Sequence, residues 1–106
     1  MLRRVDTVEL EAQLVGEYCR IVEDEMAPLV EEAGATLEGC WRTTEGLGEP
    51  VWVQTVWSCP DFESWNAIRR NLVLDPRWYA CAERLHGMIR SGTRRFYRSA
   101  DGALVR

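Results

Sequence analysis

Residues 51–78 constrain the fold of this chain more than any other stretch. They begin with Val-Trp-Val-Gln-Thr-Val-Trp, a run of β-branched and aromatic residues that predicts a half-buried strand. Asp61 follows and is a suitable N-cap, and apolar residues then recur at three- and four-residue intervals, which predicts an amphipathic helix. Asp75 and Pro76 repeat the arrangement of a capping carboxylate before a proline at the first helical position. A strand followed directly by two helices is therefore expected.

The segment before this stretch predicts a strand and a long helix. Residues 2–10 contain β-branched side chains and form the first predicted strand. Residues 12–33 carry one continuous apolar stripe, which predicts a helix. Pro28 should kink this helix because proline removes a backbone donor and crowds the preceding turn. Gly34 is expected to end it in the left-handed conformation.

The second strand is predicted over residues 36–43. Simple alternation places Leu37 and Gly39 on one face of this strand and Cys40 on the other. Residues 45–50 have the composition of a turn, so the second and third strands are expected to form an antiparallel hairpin.

The last helix is predicted over residues 76–90 and the last strand over residues 93–99. The order β-α-β-β-α-α-β predicts an α+β fold, the ferredoxin-like plait, in which a four-stranded antiparallel sheet carries its helices on one face. Residues 1–99 are expected to form one domain, with a C-terminal tail over 100–106. Apolar residues on both sheet faces suggest that a second copy covers the open face, which would give a homodimeric α/β barrel.

The composition limits the classes of partner. A net charge of −4 and a pI near 5.0 argue against a nucleic-acid binder that neutralises phosphates. The arginines at 90, 94, 95 and 98 are predicted to form a solvated strand edge that discourages edge-to-edge pairing. No apolar run approaches the roughly 20 residues of a membrane span, and no signal peptide is visible, so a cytoplasmic protein is expected.

The four cysteines are spread evenly along the chain, at positions 19, 40, 59 and 81. None belongs to a Cys-x-x-Cys pair, and each falls in a different predicted element. They are predicted to be reduced thiols that serve as small apolar side chains, rather than disulfides or metal ligands. With one histidine, a zinc or non-haem iron site would need unusual ligands.

Several short motifs follow one another in a distinctive order along the chain. They are Met26-Ala27-Pro28-Leu29, Glu31-Glu32-Ala33-Gly34, the hairpin sequence Gly39-Cys40-Trp41-Arg42-Thr43-Thr44-Glu45-Gly46, then Trp57, Asp61, Arg69, Leu72 and Asp75-Pro76-Arg77-Trp78. In this order and spacing they resemble the NIPSNAP family of the dimeric α/β-barrel superfamily. The resemblance implies a homodimer with a small-molecule pocket between sheet and helices. It does not imply one activity, because related barrels include cofactor-independent monooxygenases, isomerases, aldoxime dehydratases and haem-degrading enzymes.

Four polar side chains are candidates for catalysis: Asp6, Tyr18, Gln54 and His86. His86 could act as a general base if the fold brings Asp6, Glu25 or Tyr18 close enough to be its partner. Gln54 could orient a carbonyl or an enolate. Three of them also have a purely structural interpretation: Asp6 at an edge or solvent-facing position, His86 exposed or locally hydrogen-bonded, and Gln54 in a cross-sheet hydrogen bond.

Five residues are candidates for substrate binding: Trp41, Arg42, Trp52, Trp57 and Trp65. Trp52 and Trp57 point to opposite faces of one strand, so one indole should line the cavity and the other should meet the partner subunit. A pocket walled by indole suits a flat aromatic ligand. Arg42 could stabilise developing negative charge. Trp65 lies on a helical stripe, where core packing is the favoured interpretation.

Three functions are compatible with these features. The first is a biosynthetic enzyme without a bound cofactor that acts on an aromatic or conjugated, polyketide-like substrate by oxygenation, cyclisation, isomerisation or elimination. The second is a non-catalytic homodimer that binds a hydrophobic ligand or partner. The third is a haem-handling protein, for which His86 would be the axial ligand. A buried ionisable cluster around Asp6, Tyr18 and His86 would favour the enzyme.

Overall fold

A computed structural model describes residues 1–44 and 50–99 of the chain. The predicted tail lies outside the described residues, as does the predicted turn apart from its last residue. The strands are β1 (Leu2–Leu10), β2 (Thr36–Arg42), β3 (Val51–Cys59) and β4 (Ser91–Arg98). The helical segments are a 3₁₀ turn (Ala12–Leu14), α1 (Val15–Arg20), a π-helical turn (Ile21–Met26), α2 (Ala27–Ala33), α3 (Phe62–Leu72) and α4 (Pro76–Met88).

The four strands form one antiparallel sheet in the order β2-β3-β1-β4. The predicted ferredoxin-like plait is therefore confirmed, and β1 is an interior strand between β3 and β4. The core lies between the helices and one sheet face, where Leu10 and Val53 from the sheet and Ile21 and Val22 from the π-helical turn are almost fully buried. None of the helices in residues 1–44 and 50–99 has the length and apolar character that a bilayer crossing requires.

The predicted helix ends are confirmed by their hydrogen bonds. The Asp61 carboxylate accepts a hydrogen bond from the Ser64 amide at 2.8 Å and caps α3. The Asp75 carboxylate accepts one from the Arg77 amide at 2.9 Å and caps α4. Gly34 has a φ of +119°, a left-handed conformation that ends α2.

The distortion expected from Pro28 takes the form of the π-helical turn just before it. The amide of Ala27 donates to the Val22 carbonyl, five residues back, instead of the carbonyl four residues back. The helix widens where the proline ring would crowd the preceding turn and where its missing N–H leaves a carbonyl without a donor. The helix thus continues to Ala33 in spite of the proline.

A β-bulge in β2 changes which side chains face the helices. Leu37 lies opposite Trp57 and Cys40 lies opposite Thr55, with the register shift between Leu37 and Gly39. The simple alternation predicted for this strand is therefore wrong at this point, because the extra residue puts Leu37 and Cys40 on the same face. Both pack against the core.

The other face of the sheet is open and carries exposed aromatic rings. Trp41, Trp52 and Tyr97 are 55%, 42% and 49% exposed. The Trp41 ring lies over Gly39, where a Cβ would overlap it. The absent side chain of Gly39 therefore makes room for the indole on this face.

Candidate functional site

A cavity of about 440 Å³ lies between the helix-facing side of the sheet and the helices. Its apolar wall includes Val8, Val22, Met26, Trp57, Leu85 and Ile89. Its polar groups include Arg4, Asp6, Tyr18, Thr55, His86 and Arg94. A mostly apolar cleft with a few polar groups is the usual form of a small-molecule site.

The sheet register brings the polar groups of three strands together. Arg4 and Asp6 lie on the same face of β1 because side chains alternate along a strand. Asp6 lies opposite Thr55 on β3 and opposite Arg94 on β4. The floor of the cavity is thus built across β3, β1 and β4.

Helices form the other walls. Tyr18, Val22 and Met26 come from α1 and the π-helical turn, and they recur every four residues along one helical face. His86 is contributed by α4. An ion pair between the Arg84 guanidinium and the Glu25 carboxylate, at 2.6 Å, joins α4 to the π-helical turn.

The central feature of the site is one carboxylate bound by two guanidinium groups. Asp6 Oδ2 accepts a hydrogen bond from Arg4 Nη2 at 2.7 Å, and Asp6 Oδ1 accepts one from Arg94 Nε at 2.9 Å. Two cations and one anion leave one positive charge uncompensated within this cluster. An anionic group in the cavity would therefore be attracted to it.

Arg4 is largely removed from water. Its side chain is 14% exposed, and its guanidinium lies 4.9 Å from the centre of the Trp65 ring. Burial lowers the pKa of Arg4, and the Asp6 carboxylate opposes that effect. Within the described residues, the buried Nε of Arg4 has no hydrogen-bond partner. The cluster therefore has an unused donor as well as an uncompensated charge.

Tyr18 and His86 line the same cavity but differ in burial. Burial, together with the neighbouring Asp6 charge, raises the pKa of Tyr18 well above its usual range. Tyr18 therefore keeps its proton and can serve only as a hydrogen-bond donor or acceptor. His86 is exposed at the rim of the cavity.

The structure brings four of the predicted site residues into one cavity: Asp6, Tyr18, Trp57 and His86. The interpretation of Asp6 as an edge position is wrong, because β1 lies between two other strands. Trp65 lies behind the cavity, where it contacts Arg4 and meets Phe96 edge-on with ring centres 5.7 Å apart.

The other predicted residues lie elsewhere. Gln54, Trp41 and Trp52 are on the open face, where Gln54 Nε2 donates to Thr7 Oγ1 at 3.4 Å. Arg42 is exposed near the end of the edge strand β2, and its Nε donates to the Thr43 carbonyl. These four side chains therefore lie away from the Asp6 cluster, because alternation or an edge position directs them elsewhere.

Sequence reasoning missed Arg4 and Arg94 as site residues. Arg94 is 58% exposed, yet it is bound to Asp6 rather than forming only part of a solvated edge. One sequence signal could have identified Arg4 as a site residue: it lies two residues before Asp6 and therefore on the same face of the strand. Groups of three or more His, Cys, Asp or Glu side chains that could hold a metal ion are absent from residues 1–44 and 50–99.

Solved structures with the same fold include proteins with and without a stated activity. An uncharacterised NIPSNAP domain protein from Burkholderia xenovorans is 27% identical, with a TM-score of 0.76 over 96% of this chain and 97% of that one. A NIPSNAP family protein from Agrobacterium tumefaciens is 21% identical, with a TM-score of 0.72 over 99% and 98%. A cofactor-independent oxygenase from Streptomyces nogalater is 13% identical, with a TM-score of 0.59 over 97% and 96%, and shares the fold alone.

The family itself follows from the sequence match. No curated protein matches the sequence significantly. The NIPSNAP family model matches residues 7–102, which is most of the chain and includes all of the strands except the first residues of β1. The protein therefore belongs to the NIPSNAP family.

Proposed function

We propose that this protein is a homodimeric enzyme that needs no bound cofactor and acts on a flat, conjugated, acidic small molecule in the cavity. The observation that carries the proposal is the Arg4–Asp6–Arg94 cluster at the floor of a 440 Å³ apolar cleft. Apolar walls suit the body of an aromatic ligand, and the excess positive charge suits an ionised oxygen.

The first step assigned to the site is proton abstraction by His86. The imidazole takes a proton from an acidic C–H or O–H of the substrate, and the electron pair moves onto the conjugated oxygen as an enolate. Arg94 would stabilise that oxygen by a hydrogen bond, and the Arg4 guanidinium would contribute its positive charge. Tyr18 would donate a hydrogen bond, since its raised pKa keeps it protonated.

Oxygenation is the reaction that this step leads to most directly, and the fold shared with a cofactor-independent oxygenase supports it. The substrate carbanion forms a C–O bond with molecular oxygen, and the resulting peroxide takes up the abstracted proton. Loss of water from the hydroperoxide then leaves a carbonyl. A methylene group and one oxygen molecule thus become a ketone and one water molecule, without an added reductant.

Asp6 has a positioning role in this scheme. Both of its oxygens are bound by guanidinium groups, so it is poorly placed to take a proton from the substrate. It holds Arg4 and Arg94 in place and limits the net charge of the cluster. The proton-accepting role falls instead to His86, at the rim of the cavity.

Replacing His86 by Gln should lower the rate of oxygen uptake with a hydroxyanthrone about 100-fold or more, because the substrate would lose its general base. A hydroxyanthrone is a suitable probe because it is flat, acidic and forms a stabilised carbanion. The rate is measured with an oxygen electrode. Glu83→Gln is the matched control, since Glu83 is exposed on the same helix and should leave the rate unchanged.

Two outcomes of this experiment would contradict the proposal. Equal rates for the protein and for His86→Gln would remove His86 from the chemistry. No turnover by the unmodified protein, with tight binding of the same probe, would favour the alternative of a non-catalytic homodimer that binds a hydrophobic ligand.

The dimeric assembly is tested separately, through the open sheet face. Replacing Trp52 by Glu should weaken the dimer about 100-fold, because a charge would replace an aromatic anchor at the interface centre. Native mass spectrometry over a range of concentrations measures this change. Tyr79→Glu is the control, since Tyr79 is 52% exposed on α4 and outside the proposed interface. A monomeric unmodified protein would contradict the assembly.

A further inference from the structure

We propose that Cys19 and Cys40 form a redox pair that closes reversibly into a disulfide and fastens helix α1 to the edge strand β2. The two thiols are 21 residues apart in the chain, yet their sulfur atoms lie 3.6 Å apart. Cys19 is on α1, and the bulge in β2 turns Cys40 towards it. Both cysteines are free and partly exposed.

The geometry favours this pair over the other two cysteines. A disulfide has a sulfur–sulfur distance of about 2.05 Å, so closure needs the two sulfur atoms to approach each other by roughly 1.5 Å. Cys59 and Cys81 are both buried, and the Cys59 thiol donates to the Asp61 carbonyl. Of the four free thiols, those of Cys19 and Cys40 are therefore in contact with each other.

The oxidant can be a low-molecular-weight disulfide such as oxidised glutathione. One protein thiolate attacks a sulfur of the oxidant and releases the first glutathione as a thiol. The second protein thiolate then attacks the mixed disulfide, forms the Cys19–Cys40 bond and releases the second glutathione. The protein loses two electrons and two protons, and the oxidant gains both.

The surroundings make this a slow reaction at neutral pH. Burial raises the pKa of Cys40 to about 12; the hydrogen bond with Thr55 opposes this effect, and the neighbouring Cys19 and Glu23 add to it. Since the thiolate is the reacting form, the rate of closure should rise with pH between 7 and 9. The pair is therefore suited to sustained oxidation and not to fast sensing.

The bond would connect two walls of the cavity. Cys40 Sγ lies 3.7 Å from Thr55 Oγ1, and Cys19 follows Tyr18 directly in the chain. Thr55 and Tyr18 both line the cavity. Closure would thus fix the helix that carries Tyr18 to the sheet edge next to Thr55.

The test equilibrates the full chain in glutathione buffers of increasing oxidation, alkylates the remaining thiols and maps the peptides by mass spectrometry. Cys19 and Cys40 should lose alkylation together and appear as one cross-linked peptide pair, while Cys59 and Cys81 remain alkylated. The oxidised form should melt several degrees higher than the reduced form, because the cross-link restricts the unfolded chain. This measurement on the unmodified protein needs no variant to fold.

Cysteine variants test whether the cross-link depends on Cys19 and Cys40 alone. The double variant Cys59→Ser/Cys81→Ser should still form the cross-link, whereas Cys19→Ser and Cys40→Ser should not; circular dichroism checks that each is folded. The proposal is overturned if Cys19 and Cys40 stay as alkylatable as Cys81 in the most oxidising buffer. It is also overturned if each takes up glutathione separately, or if the bond forms between two copies.

Discussion

Replacing Asp6 by Asn should lower the free energy of unfolding by about 3 kcal/mol, because it leaves the buried Arg4 cation without its counter-charge. The side chains of Arg4 and Asp6 are both 14% exposed and lie 2.7 Å apart. An amide keeps the shape of the carboxylate but not its charge. Arg94 is 58% exposed and can turn to water, so most of the loss should come from Arg4. Urea denaturation followed by tryptophan fluorescence measures the change.

A double-mutant cycle identifies the cause of this loss. Methionine at position 4 removes the cation and keeps much of the side-chain volume. In an Arg4→Met background, Asp6→Asn should therefore cost only about 1 kcal/mol, as for an ordinary hydrogen bond. Equal costs in the two backgrounds would show that Asp6 is not compensating a buried charge.

Replacing Arg94 by Gln should weaken the binding of an aromatic anion by about 10- to 100-fold, because a charge-assisted hydrogen bond is lost. The probe is 8-anilinonaphthalene-1-sulfonate, whose fluorescence reports binding in an apolar site. N-phenyl-1-naphthylamine has the same ring system without the sulfonate, so its affinity should change little. The ratio of the two dissociation constants isolates the contribution of charge.

Arg95→Gln is the matched control for this measurement. Arg95 is exposed and follows Arg94 in β4, so its side chain points to the opposite face of the sheet. The Arg95→Gln substitution removes the same net charge without changing the cavity, so the ratio of the two dissociation constants should be unchanged. If both variants weaken sulfonate binding equally, the effect comes from the overall charge and not from the site.

The order of elements could be predicted because each has a local signal. Asp61 and Asp75 stand where helices begin, and the β-branched run before them can hardly form anything but a strand. These signals act within a few residues, so they need no knowledge of the rest of the fold. The bulge in β2 carries no such signal, and the face assigned to Leu37 was wrong for that reason.

The site was harder to predict because its parts are far apart in the chain. Asp6 and Arg94 are separated by 88 residues, and only the antiparallel register of β1 and β4 places them side by side. The sequence makes Trp52 and Trp57 equally good candidates for lining the cavity. Only the packing of the helices on one face of β3 selects Trp57. Sequence patterns identify candidate residues, but the contacts between strands decide which of them meet.

Because β4 is exposed, substitutions in it can change the candidate site without disturbing the core. All of its residues from Ser91 to Arg98 are exposed, yet one of them supplies a cation to the cavity. Surface substitutions usually change stability by less than about 0.5 kcal/mol. A point change at Arg94 can therefore alter which ligand charge is accepted while the folded state remains nearly as stable. This separation holds for Arg94 and not for the buried Arg4–Asp6 pair, where a substitution would change the ligand preference and the free energy of unfolding together.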